Sequence, residues 1–197
     1  IAEPAKNRAM GCAYRFTPSA PATYGDTTGH LLTDGIIPAK GFVEHRSLGW
    51  QQRDAQIRFD MGRARRVSAI EVYCQGGGTG AVNWPAWSIA ALSSDAPPPS
   101  GPSGTGSMPG GVRWIAPGPL TIDRQRAPDD QDGHLTFTPS GAGLARYVSI
   151  SLGANQWLMV SEVRILSDGT NIAPECTYTL RPNPSEASAK PGSYPDD

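Results

Sequence analysis

The chain has 197 residues, 17 basic against 18 acidic, for a formal net charge of -1. That length suits one domain of ordinary size, or one domain plus an incomplete neighbour, and argues against two full ones. So small a charge sets up no field able to gather nucleic acid or an anionic membrane, so partners are expected to be neutral or recognised locally.

With 23 glycines and 19 prolines but only 18% charged residues, short elements joined by turns are favoured over long helices, and the expected fold class is all-β. No apolar run reaches the roughly 18 residues needed to span a bilayer, and no basic-then-apolar leader is visible. A soluble chain that begins like a mature or excised fragment is the expectation.

In chain order, Leu32-Thr-Asp34-Gly35 reads as a turn. Gln56 to Gly62 alternates apolar with polar residues and stops at a glycine, and Val67 to Tyr73 does the same after a basic connector, Arg63 to Arg66. Two strands joined by a tight turn is the simple reading. Trp87 to Ser94 is a third strand, Leu135 to Thr138 a fourth, Arg146 to Leu152 a fifth and Val160 to Leu166 the last. The stretch Asp95 to Gly111 is dominated by Pro, Ser and Gly and reads as a surface excursion. It is not taken as an interdomain linker, because the strands on both sides are needed to complete one sandwich.

The two ends resemble each other. Asn7, Ala9, Cys12, Tyr14 and Pro18 coincide with Asn171, Ala173, Cys176, Tyr178 and Pro182 at an offset of 164 residues, and Tyr24-Gly-Asp26 matches Tyr194-Pro-Asp196 after an insertion. The expected organisation is an N-terminal extension over 1–6, one unit over 7–170, and over 171–197 the truncated start of a second tandem copy. Such a tail must lie on the first unit or pair with another molecule. Of three cysteines, each unit then owns two, and Cys12 and Cys74 are either bridged or buried as free thiols.

The order of Leu32-Thr-Asp34-Gly35, Ile57-Arg-Phe-Asp60-Met-Gly62, Val67 to Val72, Arg146-Tyr147-Val-Ser-Ile150 and Ser161-Glu162-Val163 resembles the discoidin, or coagulation-factor type C, domains and the related family 32 carbohydrate-binding modules. The resemblance covers nearly the whole unit. It implies an antiparallel, jelly-roll-like β-sandwich of eight strands, with close termini and a ligand patch on the loops at one end. The stretch Phe42 to Trp50 is longer than the usual segment after the Asp-Gly loop, and the Pro-rich excursion is long.

The resemblance also implies a structural calcium ion that staples the Asp-Gly loop to the last strand. The matching carboxylates are Asp34 and Glu162, with the carbonyls of Leu31, Gly35 or Ile37 as further ligands; a hard cation of this kind takes several oxygens. The competing reading has Asp34 capping a turn before Gly35 and Glu162 paired with an arginine.

Five tryptophans are generous for this length. Aromatic faces suit the C–H faces of a sugar and amides or charges its hydroxyls. The candidate ligand-binding residues are Trp157 first, then Asn155 beside it, Trp84, and His45 and Arg46, the last two also suited to an acidic sugar. The competing reading puts the tryptophans in the core, with Trp50 and Trp87 where members of the family bury one, and leaves His45 and Arg46 solvated.

No His spacing marks a zinc protease and no Gly-x-Ser-x-Gly elbow is present. Asp129-Asp130-Gln-Asp132-Gly133 lacks the final glutamate of a calcium loop and reads as a solvated turn. The function expected is a non-catalytic module that holds a polysaccharide or oligosaccharide for a larger secreted or cell-surface protein, its other partner being the neighbouring repeat. The alternative is an adhesion or spacer module.

Overall fold

The computed structural model describes residues 24–26, 28–38, 46–77, 81–98, 111–126, 130–141 and 143–181. Two antiparallel sheets face each other. The first runs β1 (Leu48–Gln51), β9 (Trp157–Ser167), β3 (Ala69–Gly76), β7 (Asp130–Phe137), β6 (Thr121–Arg126), with the short β10 (Thr170–Asn171) folding back on β9. The second runs β11 (Thr177–Arg181), β2 (Ala55–Val67), β8 (Gly143–Leu152), β4 (Ser88–Ser93), β5 (Arg113–Ile115). The all-β sandwich read from the sequence is the fold observed.

Alternation builds the core. Ile57, Phe59 and Met61 of β2, Ile70, Val72 and Cys74 of β3, Val148, Ile150 and Leu152 of β8, and Val163 and Ile165 of β9 are all buried in one cluster between the sheets. Residues i and i+2 of a strand share a face, so each strand lends the core one row and the outside another. Trp50 is fully buried among them, as expected.

Three expectations are corrected. Gly62 does not end a strand: β2 continues through it to Val67, and Gly62 sits at φ +72 inside an irregularity between Asp60 and Arg65. A glycine at positive φ serves a bulge as well as a turn. On the partner strand Arg146 lies opposite this bulge and grips Asp60 through two bonds of 2.8 and 2.9 Å. The turn to β3 comes later, at Ser68, whose N–H donates to the Leu166 carbonyl. Next, the segment read as a solvated turn forms the start of β7, where Asp132 is only 5% exposed. The third is that β1, β5, β6 and β10 are strands for which the sequence pattern gives no expectation.

The tail takes the first of the two courses expected of it. As far as residue 181 it lies on the first unit: β11 pairs with β2 from Thr177↔Asp60 to Arg181↔Gln56, and Ile172, Ala173, Cys176, Tyr178 and Leu180 join the main core. Cys74 is a free, buried thiol whose pKa is pushed up to about 12 by burial, while Cys12 lies outside the described residues. Among the described residues no helix is long and apolar enough to cross a membrane.

Candidate functional site

The sandwich order brings three connections to one end: residues 52–54 between β1 and β2, the described residues 77 and 81–87 between β3 and β4, and residues 153–156 between β8 and β9. Backbone bonds tie them together. Gln52 donates to the Gln156 carbonyl at 2.7 Å, Asn83 to the Trp157 carbonyl at 3.0 Å, and Ala86 and Gly153 bond across to Gly153 and Trp87 at 3.0 and 2.9 Å. The Ala154 N–H donates to Asp54 Oδ1 at 3.2 Å. Each loop is thus held by its neighbours before any ligand arrives, which lowers the ordering cost of binding.

Three tryptophans surround this junction, with different burial. Trp84 is half-buried against the core and lies over Gly76 and Gly133, where any side chain at Gly76 would overlap its indole. Trp157 is also half-buried, packed with Tyr24, Val82 and Met159, its ring edge-on to Tyr24 at 5.5 Å between centroids. Trp87 differs: it is 41% exposed and lies across the backbone of Gly153. The same loops carry the exposed side chains of Gln52, Asp54, Asn155 and Gln156 and the half-buried Asn83, with Asn83 Nδ2 donating to the Ala81 carbonyl at 3.0 Å and to Gln156 Oε1 at 3.4 Å.

The structure gathers Trp157, Asn155 and Trp84 at one end of the sandwich. It corrects the ranking of Trp87, expected in the core. Its aromatic face rests on a glycine 66 positions along the chain, a pairing that no local pattern reveals. Arg46 does not join this group: its Nη1 lies 3.8 Å from Asp34 Oδ2. His45 lies outside the described residues.

A second cluster lies along β9. A register irregularity between Tyr73 and Cys74 sets Tyr73 opposite Glu162 and Cys74 opposite Val160. Glu162 consequently falls on the other face of the strand from Val163, beneath the loop 31–35, and has no exposed surface. Its Oε2 accepts from the Gly35 N–H at 3.2 Å, while Oε1 is buried without a hydrogen-bond partner. Burial, with a further push from the Asp34 charge, raises its pKa to about 8, against the opposing pull of the Gly35 N–H and Arg164.

Asp34 Oδ1 accepts from the Ile36 N–H at 2.8 Å, the turn-capping role of the competing reading. Its pKa is nonetheless raised, by burial first and then by Asp26. Glu162 does not bond an arginine; Arg164 bonds the Tyr73 hydroxyl at 3.1 Å instead. Asp26, which the sequence reading did not single out as a ligand, is 3% exposed, accepts from the Gly29 N–H at 2.6 Å, and takes a hydrogen bond from the Tyr178 hydroxyl. The signal for it was present, in the repeated Tyr-x-Asp of Tyr24-Gly-Asp26.

Among the described residues no group of three or more His, Cys, Asp or Glu is arranged to hold a metal ion. Two converging carboxylates and an orphaned buried oxygen still suit a cation whose remaining ligands are backbone carbonyls. From Glu162 to Trp157 is five residues along one strand, roughly 15 Å. The two clusters are separate sites.

Fold and loop end together define an antiparallel β-sandwich that presents aromatic and amide side chains at one end. No family model matches the sequence, and no curated protein does. Among solved structures the chain is similar to CpGH89CBM32-6 produced by Clostridium perfringens, with 14% identity over 70% of this chain and 83% of that one and a TM-score of 0.41. It is also similar to the lectin binding domain of lectinolysin, solved in complex with Lewis b, with 16% identity over 84% and 99% of the two chains and a TM-score of 0.43.

Proposed function

We propose that this chain is a non-catalytic carbohydrate-binding module of a larger secreted protein, and that the loop end around Trp87 holds a polysaccharide or oligosaccharide. The observation that carries the reading is Trp87 itself. An indole 41% exposed and backed by the Gly153 backbone offers a rigid apolar face, and the neighbouring amides of Asn83, Asn155 and Gln156 suit hydroxyl groups at its edge. Trp84 and Trp157, being half-buried, act as the packed floor that fixes the loops. The described loop-end residues carry few charges, which favours a neutral sugar.

In the same reading Asp34 and Glu162 hold a calcium ion, with carbonyls of the 31–37 segment completing its shell. The ion would supply positive charge to two carboxyls that burial otherwise holds toward the neutral form. Its part is stability.

The half-burial of Trp84 and Trp157 favours a second reading, an adhesion or spacer module whose aromatics are mainly structural. A panel of polysaccharides in affinity gels separates the two. Retardation by at least one glycan, abolished by Trp87→Ala at unchanged melting temperature, is the expected result. No retardation across the panel, or retardation that Trp87→Ala leaves intact, would sink the proposed site.

A further inference from the structure

β11 fills the open edge of β2, and its anchors are few and specific. Asn171 Oδ1 accepts from the Ile165 and Ala173 N–H groups, both at 3.1 Å. Ala173 is fully buried, and Cys176, Tyr178 and Leu180 are 4%, 2% and 7% exposed. Tyr178 packs on Phe59 at 5.4 Å between centroids, and its hydroxyl reaches Asp26. Between these anchors Thr177 and Thr179 face solvent.

At the offset of 164 residues, the segment 7–18 carries Asn7, Ala9, Cys12 and Tyr14, identical at four anchors, and Phe16 at the fifth, where the groove holds Leu180. Ala13 for Thr177 and Arg15 for Thr179 fall where the groove leaves the side chain exposed, and Thr17 stands for Arg181 at the strand's end. Three departures lie in the preceding turn. Arg8 stands where Ile172 is buried, Met10 where Pro174 is buried, and Gly11 where Glu175 pairs with Arg65 at 2.6 Å. Those three contacts favour the C-terminal segment; the two buried strand positions, Tyr178 and Leu180, do not discriminate. Edge strands accept any chain that supplies a ladder of hydrogen bonds and side chains for the alternate pockets.

We propose that the edge of β2 is a strand-acceptor groove for which the segments 7–18 and 171–182 compete, so that either one can complete the second sheet. The pattern of matches is that of the groove's own requirements. Where β11 is buried, Tyr178 is kept and Leu180 is replaced by another large apolar residue; where it is exposed, both threonines are lost. In a parent chain with consecutive copies, the same groove would then accept either its own leading segment or that of the following copy, coupling neighbours through one exchanged strand.

The test uses the full chain. Thr179 faces Arg58 across the ladder, and the corresponding residue of the other segment is Arg15. Arg58→Cys is combined with Thr179→Cys in one variant and with Arg15→Cys in another; both are oxidised and the linked peptides are assigned by mass spectrometry. Both pairs are expected to link, and Tyr178→Ala should raise the Arg15 link several-fold. A folded protein in which the Arg15 pair does not link overturns the proposal. Should Arg58→Cys itself prevent folding, the unaltered chain is incubated with a synthetic peptide of residues 7–18. Faster amide exchange at Thr177–Arg181 with this peptide, but not with its Tyr14→Ala form, supports the competition; unchanged exchange overturns it.

Discussion

Removing Glu162's charge has a consequence whose size the structure sets. The side chain is fully buried, and its neighbours are Asp34 and the Gly35 N–H from the loop, Arg164 on its own strand, and Tyr73 across the ladder, with Asp26 and Arg46 acting through Asp34. Its pKa moves from an ordinary 4.5 to about 8. A carboxyl raised in the folded state gives stability that is fully present below 4.5 and is lost as pH rises through about 8. The full displacement corresponds to on the order of 5 kcal/mol, an upper bound that local relaxation reduces.

Even half of that is a fall of roughly 5–10 °C in melting temperature for a chain of this size. In chelator, the protein is expected to melt highest near pH 5 and to lose this much by pH 9, while saturating calcium restores most of it at the alkaline end. Glu162→Gln should flatten both responses. The assay is scanning calorimetry across pH 5 to 9 with chelator or calcium. A melting temperature equal at pH 5 and pH 9 in chelator, or a calcium response retained by Glu162→Gln, would refute the reasoning.

Gly76→Ala places a methyl group inside the Trp84 indole, and overpacking of that kind costs about 1–3 kcal/mol, visible as a lower midpoint in urea. The buried Cys74 thiol, with its pKa near 12, should resist a colorimetric thiol reagent in the native protein and react only at the rate of unfolding. Asp60 is held below its ordinary 3.8 chiefly by its hydrogen bonds to Arg146. Its contribution is present above 3.8 and disappears as pH falls through the folded value, so Asp60→Asn should destabilise at pH 7 and do so progressively less as the pH is lowered below 3.8. A constant difference across that range would show that the pair is not ionic.

Alternation reveals β2 and β3, whereas β8 and β9, buried in succession over Val148–Leu152 and Leu158–Val163, are legible from their apolar and β-branched content. Ile57, Phe59 and Met61 alternate with exposed or half-buried neighbours, and so do Ile70 and Val72. β1 is buried at Leu48, Gly49 and Trp50 in succession and β5 has only three residues, so neither offers a period to read. Gly62 misleads because a tight turn and a bulge ask the same positive φ of the backbone. At the site, Asp34 and Glu162 were legible through the motif order, since strand and loop meet at Gly35. Trp87 was not, because its exposure depends on Gly153, which sequence distance hides.

The separation of the two clusters decides how a cation acts on binding. Glu162 lies roughly 15 Å along β9 from Trp157, and among the described contacts Asp34 reaches Ile36 and Arg46 but none of the loop-end residues. On the proposed function, an ion held there would therefore influence a sugar at Trp87 only through the fraction of chains folded. At a temperature well below the chelated melting point, chelator should leave glycan retardation unchanged, while near that melting point retardation should fall in parallel with the loss of native circular dichroism. Titrating one retarding glycan at both temperatures, with and without chelator, measures this directly. Weaker binding in chelator by fully folded protein would place the cation within the sugar site and overturn the division of labour between the loop end and the carboxylates under β9.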